Sequence, residues 1–181
     1  MVVTINGTIA SGKSAVGKAL ADSLGYEYFS TGQIYREEAD KAGRSVKEYL
    51  DYCDFHPEIH RELDKKVRDY VKGKDNIIVD GRVAWSILPE SLKLYLHCSN
   101  EVAALRVYGT ERVAQDTSSL TACLEDVKSR HKKEREQFLD IYGKDIHDMK
   151  NYDLCIKTDN RSIEELMRFC QMAVAMFQVA E

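Results

Sequence analysis

The sequence predicts an α/β fold, a parallel sheet sandwiched between two helical layers. Three observations point there. Short apolar runs alternate with longer amphipathic stretches along all 181 residues. The first apolar run passes through a glycine-rich loop straight into a helical pattern. Two prolines and ten glycines are too few for many long loops. Strands separated by helices require crossover connections, and right-handed crossovers put helices on both faces of one sheet. A ligand is then expected at the carboxyl ends of the strands.

The elements follow in order. Residues 2–6 (VVTIN) form an apolar run ending at Gly7, a strand signal. Residues 13–24 carry Val16, Leu20 and Leu24 at helical spacing, with Gly25 as the stop. A second strand is predicted over 26–29, then a helix over 33–42 halted by Gly43. Ser45 with Glu48 forms a capping box that opens another short helix. Pro57 suits the first turn of a helix reaching residue 72, with the apolar stripe Ile59, Leu63, Val67 and Val71. Residues 77–79, 92–96 and 154–158 supply strands three to five. Ser99 caps a helix running to 108, a long helix spans 120–142 before Gly143, and Ser162 with Glu165 starts the last helix, 163–179.

Composition narrows the function. The length predicts one domain over 1–181. Hydrophobic residues at 44% and charged residues at 31% exclude a disordered chain. A net charge of −4 disfavours a protein that coats nucleic acid. The five cysteines are scattered, with no C-x-x-C pair, which argues for free thiols in a reducing compartment. The apolar start, residues 1–5, is too short for a signal peptide, and no run approaches the roughly 20 apolar residues of a membrane span. A monomeric cytoplasmic protein with no membrane or nucleic-acid partner is expected.

Gly7-Thr8-Ile9-Ala10-Ser11-Gly12-Lys13-Ser14 matches G-x-x-x-x-G-K-[ST] between a strand and a helix. Such a loop turns its backbone N–H groups inward around a phosphate, and the helix N-terminus adds partial positive charge. Residues 7–15, including Ala15 at the helix start, are therefore assigned to ATP, with Lys13 on the β/γ-phosphates and the Ser14 hydroxyl on Mg²⁺. Ala10 stands where many kinase loops carry glycine. A guanine-reading Asn-Lys-x-Asp is absent from the sequence, so a GTPase switch is not suggested.

A kinase must also neutralise its acceptor before two anions can meet. Asp80, in Val79-Asp80-Gly81-Arg82, is placed to act on Mg²⁺ or its water, and Arg82 follows at the strand end. Arg36 lies just after strand two, in the run from Ser30 through Thr31. Arg61 and Asp64 are expected on one face of the 57–72 helix, opposite its apolar stripe; spacing alone reads them as a solvated ion pair. Residues 128–135 (KSRHKKER) hold five Lys/Arg against one Glu, the pattern of a lid that brings arginines to a transferring phosphoryl group. The guanidinium fork favours Arg130 and Arg135 over the lysines. His56 and His60 are four apart but lack a third zinc ligand.

Together the segments GTIASGKS (7–14), STGQIYR (30–36), HPEIHRELD (56–64), VDGR (79–82), DIYGKDI (140–146) and NYDLCIKTD (151–159) resemble cytidylate kinases, in particular the short form best known from archaea. The resemblance implies an ATP:(d)CMP phosphotransferase with strand order 2-3-1-4-5, an acceptor-binding region at 30–72 and a lid at 106–142. It implies that Thr31 and Arg36 touch the acceptor phosphate, that Arg61 and Arg82 help clamp it, and that residues 157–159 border adenine. Two positions depart from the family pattern. Gln137 stands seven after Arg130 where arginine is usual, which leaves Arg135 or Arg112 to supply a second lid arginine. Val83 stands where the longer enzymes have a base-reading Asp.

Overall fold

A computed structural model describes residues 1–109 and 119–180. Arg112 and part of the 106–142 segment lie outside the described residues. Five strands, β1 (Val2–Gly7), β2 (Glu27–Ser30), β3 (Ile77–Asp80), β4 (Leu92–His97) and β5 (Leu154–Lys157), form one sheet in the order β2-β3-β1-β4-β5. Every pairing is parallel, which gives the order implied by the resemblance. The helices are α1 (Lys13–Leu24), α2 (Thr31–Lys41), α3 (Val46–Asp54), α4 (Pro57–Val71), α5 (Ala84–Ile87), α6 (Asn100–Tyr108), α7 (Leu120–Tyr142) and α8 (Ile163–Ala180).

The sheet buries both faces, as parallel sheets do. Val3 and Ile5 of β1, Ile78 of β3, and Leu94 and Leu96 of β4 point to one face, where α1 and α8 cover them with Val16, Leu20, Leu166 and Cys170. Ile77 and Val79 point the other way, onto Phe29, Ile34, Leu63, Val67 and Ile146. The period of two along β3 therefore assigns its residues to separate cores. A third cluster, with Cys98, Ala103, Ala104, Cys123 and Val127, seats α7 on α6.

Most boundaries fall within a residue or two of the sequence reading, and the exceptions have local causes. The helix predicted from 33 begins at Thr31, because β2 runs directly into α2 through an extended Ser30. β3 extends one residue further, to Asp80, which pairs with Ile5 and Ser30 and so is not part of a turn. α5 was not predicted; four residues are too few to show a helical period. Both predicted capping boxes form: Glu48 N–H donates to Ser45 Oγ and Ser45 N–H to the Glu48 carboxylate, and Ser162 and Glu165 repeat the pattern.

Candidate active site

Most of the polar side chains singled out in the sequence gather at the strand carboxyl ends. Residues 7–14 turn from β1 into α1 with Gly12 and Ala10 at φ 86° and 54°. Gly7 has no room for a side chain, since a Cβ there would lie 2.2 Å from the Leu96 carbonyl oxygen. The Thr8 N–H donates to that same carbonyl at 3.0 Å, and Thr8 Oγ1 accepts from the Cys98 N–H at 3.0 Å. Asn6, buried at the end of β1, accepts the Gly7 N–H at 2.7 Å and donates to Tyr152 at 2.6 Å. The loop is thus fixed to β4 on one side and to the segment after α7 on the other.

Asp80 is the anionic centre of this cradle. Its buried carboxylate accepts from Ser14 Oγ at 2.5 Å and from the Tyr28 hydroxyl at 2.7 Å, with Lys13 Nζ at 3.8 Å. Burial, followed by the nearby Asp80 charge, raises the Tyr28 phenol far above its usual range, so Tyr28 stays a donor. Burial and Arg82 lower the pKa of Lys13, against the pull of Asp80 and Glu134. Ser14 and Asp80 offer adjacent hard oxygens beside a phosphate loop, the donor chemistry Mg²⁺ takes together with water and phosphate oxygens. They fit the ion the sequence suggests.

A cleft of about 430 Å³ opens from Lys13 and Ser14. It passes Thr31, Arg36, Asp80 and Arg82 and continues to Tyr35, His60 and Asp64. Gly81 is what lets Thr31 into this wall: a Cβ on Gly81 would lie 2.6 Å from Thr31 Oγ1. Arg82 donates to the Gly7 carbonyl and pairs through Nε with Glu134 of α7 at 2.7 Å. Further along α7, Gln137 donates to Asp54, so α7 contacts both walls. Asp64 accepts from Tyr142 at 3.2 Å, and burial raises its pKa to about 6. Tyr35 and His60 Nδ1 share a hydrogen bond of 3.0 Å.

The structure therefore brings Lys13, Ser14, Thr31, Arg36, Asp64, Asp80 and Arg82 to one cleft. Three arginines predicted for the acceptor site and the lid stand apart from its lining. Arg61 is exposed while Asp64 is buried, so the two do not share a solvated face. The buried stripe of α4 is wider than the 59–63–67–71 line and takes in His60 and Asp64. Arg130 lies one turn before Glu134 on α7, half-exposed, with Asp126 at 3.7 Å. Arg135 turns away to Asp145 at 2.6 Å. The α7 side chains that line the cleft are Glu134, Gln137 and Phe138. Tyr28, Glu134 and Tyr142 were missed, because each gains its meaning from a partner 52 to 78 residues away.

Residues 2–160 match the cytidylate kinase-like family. The chain is 32% identical to the cytidylate kinase of Thermoplasma volcanium over 170 residues, 92% of this chain and 87% of that one. It is also 32% identical to an S-adenosylmethionine-dependent nucleotide dehydratase of Lacinutrix mariniflava over 91% of this chain, but spans only 34% of that protein's length. The fold is similar to that of shikimate kinase from Bacteroides thetaiotaomicron, with a TM-score of 0.68 over 97% and 98% of the two chains at 13% identity. With the family model matched over most of its length, this chain belongs to the cytidylate kinase-like family, a family of phosphotransferases.

Proposed function

We propose that this protein transfers the γ-phosphoryl group of ATP to CMP or dCMP, giving ADP and CDP or dCDP. One observation carries this reading. A single cleft joins the phosphate cradle, Lys13 and Ser14, to a second cationic group, Arg36 and Arg82, and then to the half-buried Tyr35 and the buried His60 and Asp64. That order matches a triphosphate, an acceptor phosphate and a base laid end to end.

The acceptor oxygen of a nucleoside monophosphate is already anionic at neutral pH, so no side chain has to remove a proton. Catalysis then rests on alignment and on stabilising charge. Lys13 neutralises the donor phosphates. Thr31, Arg36 and Arg82 hold the acceptor phosphate, and Arg82 leaves Glu134 to do so. Ser14 and Asp80 would hold Mg²⁺, which would neutralise phosphate charge. Asp64 accepts the exocyclic amino group of cytosine, where uracil presents a carbonyl oxygen. The 30–72 region is the acceptor-binding part and α7 belongs to a lid that keeps water from the reacting group. Arg130 and Arg135 reach the phosphates only if the lid closes further.

ADP release with ATP and each of CMP, dCMP, UMP, AMP, shikimate or no acceptor tests the reading. Strong stimulation by CMP or dCMP is expected. Slow hydrolysis that no acceptor stimulates would overturn it in favour of a nucleotide-dependent switch.

A further inference from the structure

The phosphate loop contains an alanine in a conformation that suits glycine. Ala10 lies at φ 54°, where the Cβ of an L-residue crowds its own backbone. Left alone, such a loop would gain by relaxing to a more extended form. Side chains from two distant helices stand on either side of it.

Arg106 of α6 donates from Nη1 to the Ala10 carbonyl at 3.0 Å. The same guanidinium reaches the end of β5, from Nη1 to Thr158 Oγ1 at 3.0 Å and from Nη2 to the Thr158 carbonyl at 2.6 Å. Thr158 is fully buried, and its N–H donates to the His97 carbonyl at 2.8 Å, so the far anchor of Arg106 is rigid. His131 of α7 approaches from the other side. Its Nε2 accepts the Ile9 N–H at 3.1 Å. The proton must then sit on Nδ1, which donates to Asn100 Oδ1 at 2.8 Å. Residues 9 and 10 are thereby gripped at the N–H that precedes them and at the carbonyl that follows. Neither grip uses an atom of Lys13 or Ser14.

We propose that Arg106 and His131 are positioning residues for ATP: they hold the phosphate loop in its phosphate-accepting shape, a support this chain needs because residue 10 is alanine. The proposal rests on the reading of residues 7–14 as the ATP cradle. A planar fork anchored on Thr158 can fix a carbonyl in direction, which an ammonium cannot. An imidazole acceptor locked in one tautomer does the same for the N–H. His131 also lies on the helix that presents Glu134 to Arg82, so the loop and the α7 contact are mechanically linked.

A double-mutant cycle tests it, with ATP affinity read by displacement of a fluorescent ATP analogue and kcat and KM measured for both substrates. Thermal melts identify any variant that fails to fold; Arg106→Lys and the His131 variants carry the test if Arg106→Ala is one of them. Arg106→Ala, Arg106→Lys and His131→Phe should each weaken ATP binding about tenfold, ~1.4 kcal/mol, and change the KM for CMP less than twofold. In an Ala10→Gly background the same substitutions should cost less than threefold, because glycine holds the left-handed angle unaided. His131→Gln, whose amide oxygen can accept the Ile9 N–H, should recover most of what His131→Phe loses. Additive effects in the cycle, or His131→Phe outperforming His131→Gln as simple packing would require, would overturn the proposal. Wild-type protein that binds no ATP would overturn the cradle reading as well; wild-type binding with an additive cycle overturns this proposal alone.

Discussion

Asp64→Asn should make the protein more stable and a poorer enzyme at the same time. The carboxyl is 8% exposed, in a wall shared with Leu63 and Val67. Burial raises its pKa from 3.8 to about 6, against the Tyr142 hydrogen bond and the charge of Arg68, which favour the anion. The native state therefore holds the Asp64 proton more tightly than the unfolded chain does. Stability falls as pH rises from about 4 to about 6, and the whole penalty is present above about 6. A shift of about 2 units corresponds to at most about 3 kcal/mol, and solvent in the open cleft reduces it, so roughly 1–3 kcal/mol is expected. Asparagine keeps an acceptor for the Tyr142 hydroxyl and never ionises. Urea unfolding of both proteins from pH 4 to 8 is the assay. The variant should gain about 1–3 kcal/mol at pH 7–8, with the gain shrinking toward zero near pH 4. Its KM for CMP should rise. A variant less stable at pH 7.5, or a gain that does not change with pH, would refute the claim that burial of a charge is what Asp64 costs the fold.

Lys13→Ala should lower kcat by about two orders of magnitude or more without unfolding the protein, as steady-state rates and circular dichroism would show; near-wild-type turnover would remove the cradle from the mechanism. Arg36→Ala and Arg82→Ala should raise the KM for CMP far more than that for ATP, and equal losses would mean a shared phosphate role. Gly81→Ala forces a Cβ to within 2.6 Å of Thr31 Oγ1. It should cost roughly 1–3 kcal/mol and raise the acceptor KM, and Thr31→Ala in the same chain should restore much of the stability in thermal melts.

The parts legible in the sequence are those whose cause is local. The 7–14 loop is eight contiguous residues with a strand before and a helix after, so its place could be read directly. Capping boxes act over three residues and were read as easily. The strand order was not in the periodicity and came from the resemblance. Asp80 illustrates the boundary: its position after an apolar run suggested a metal role, while its bonds to Ser14 and Tyr28 depend on β2 and β1 flanking β3. α7 was the hardest element. Its basic composition drew attention to Arg130 and Arg135, yet helical phase and nearby carboxylates decide which side chains meet the cleft. Those are Glu134, Gln137 and Phe138, the first of them the single acid in a basic run. His131, in the same run, gives no signal in sequence, because its partner is a backbone N–H 122 residues away.

The central claim is that a phosphoryl group moves from ATP to a nucleoside monophosphate. ATP labelled in its γ-phosphate, incubated with the protein, Mg²⁺ and CMP, and separated by chromatography, tests that directly. The account predicts that the label appears in CDP, with little in inorganic phosphate, and that the CDP label disappears in Lys13→Ala. Label found only in inorganic phosphate, at a rate that CMP does not change, would contradict it.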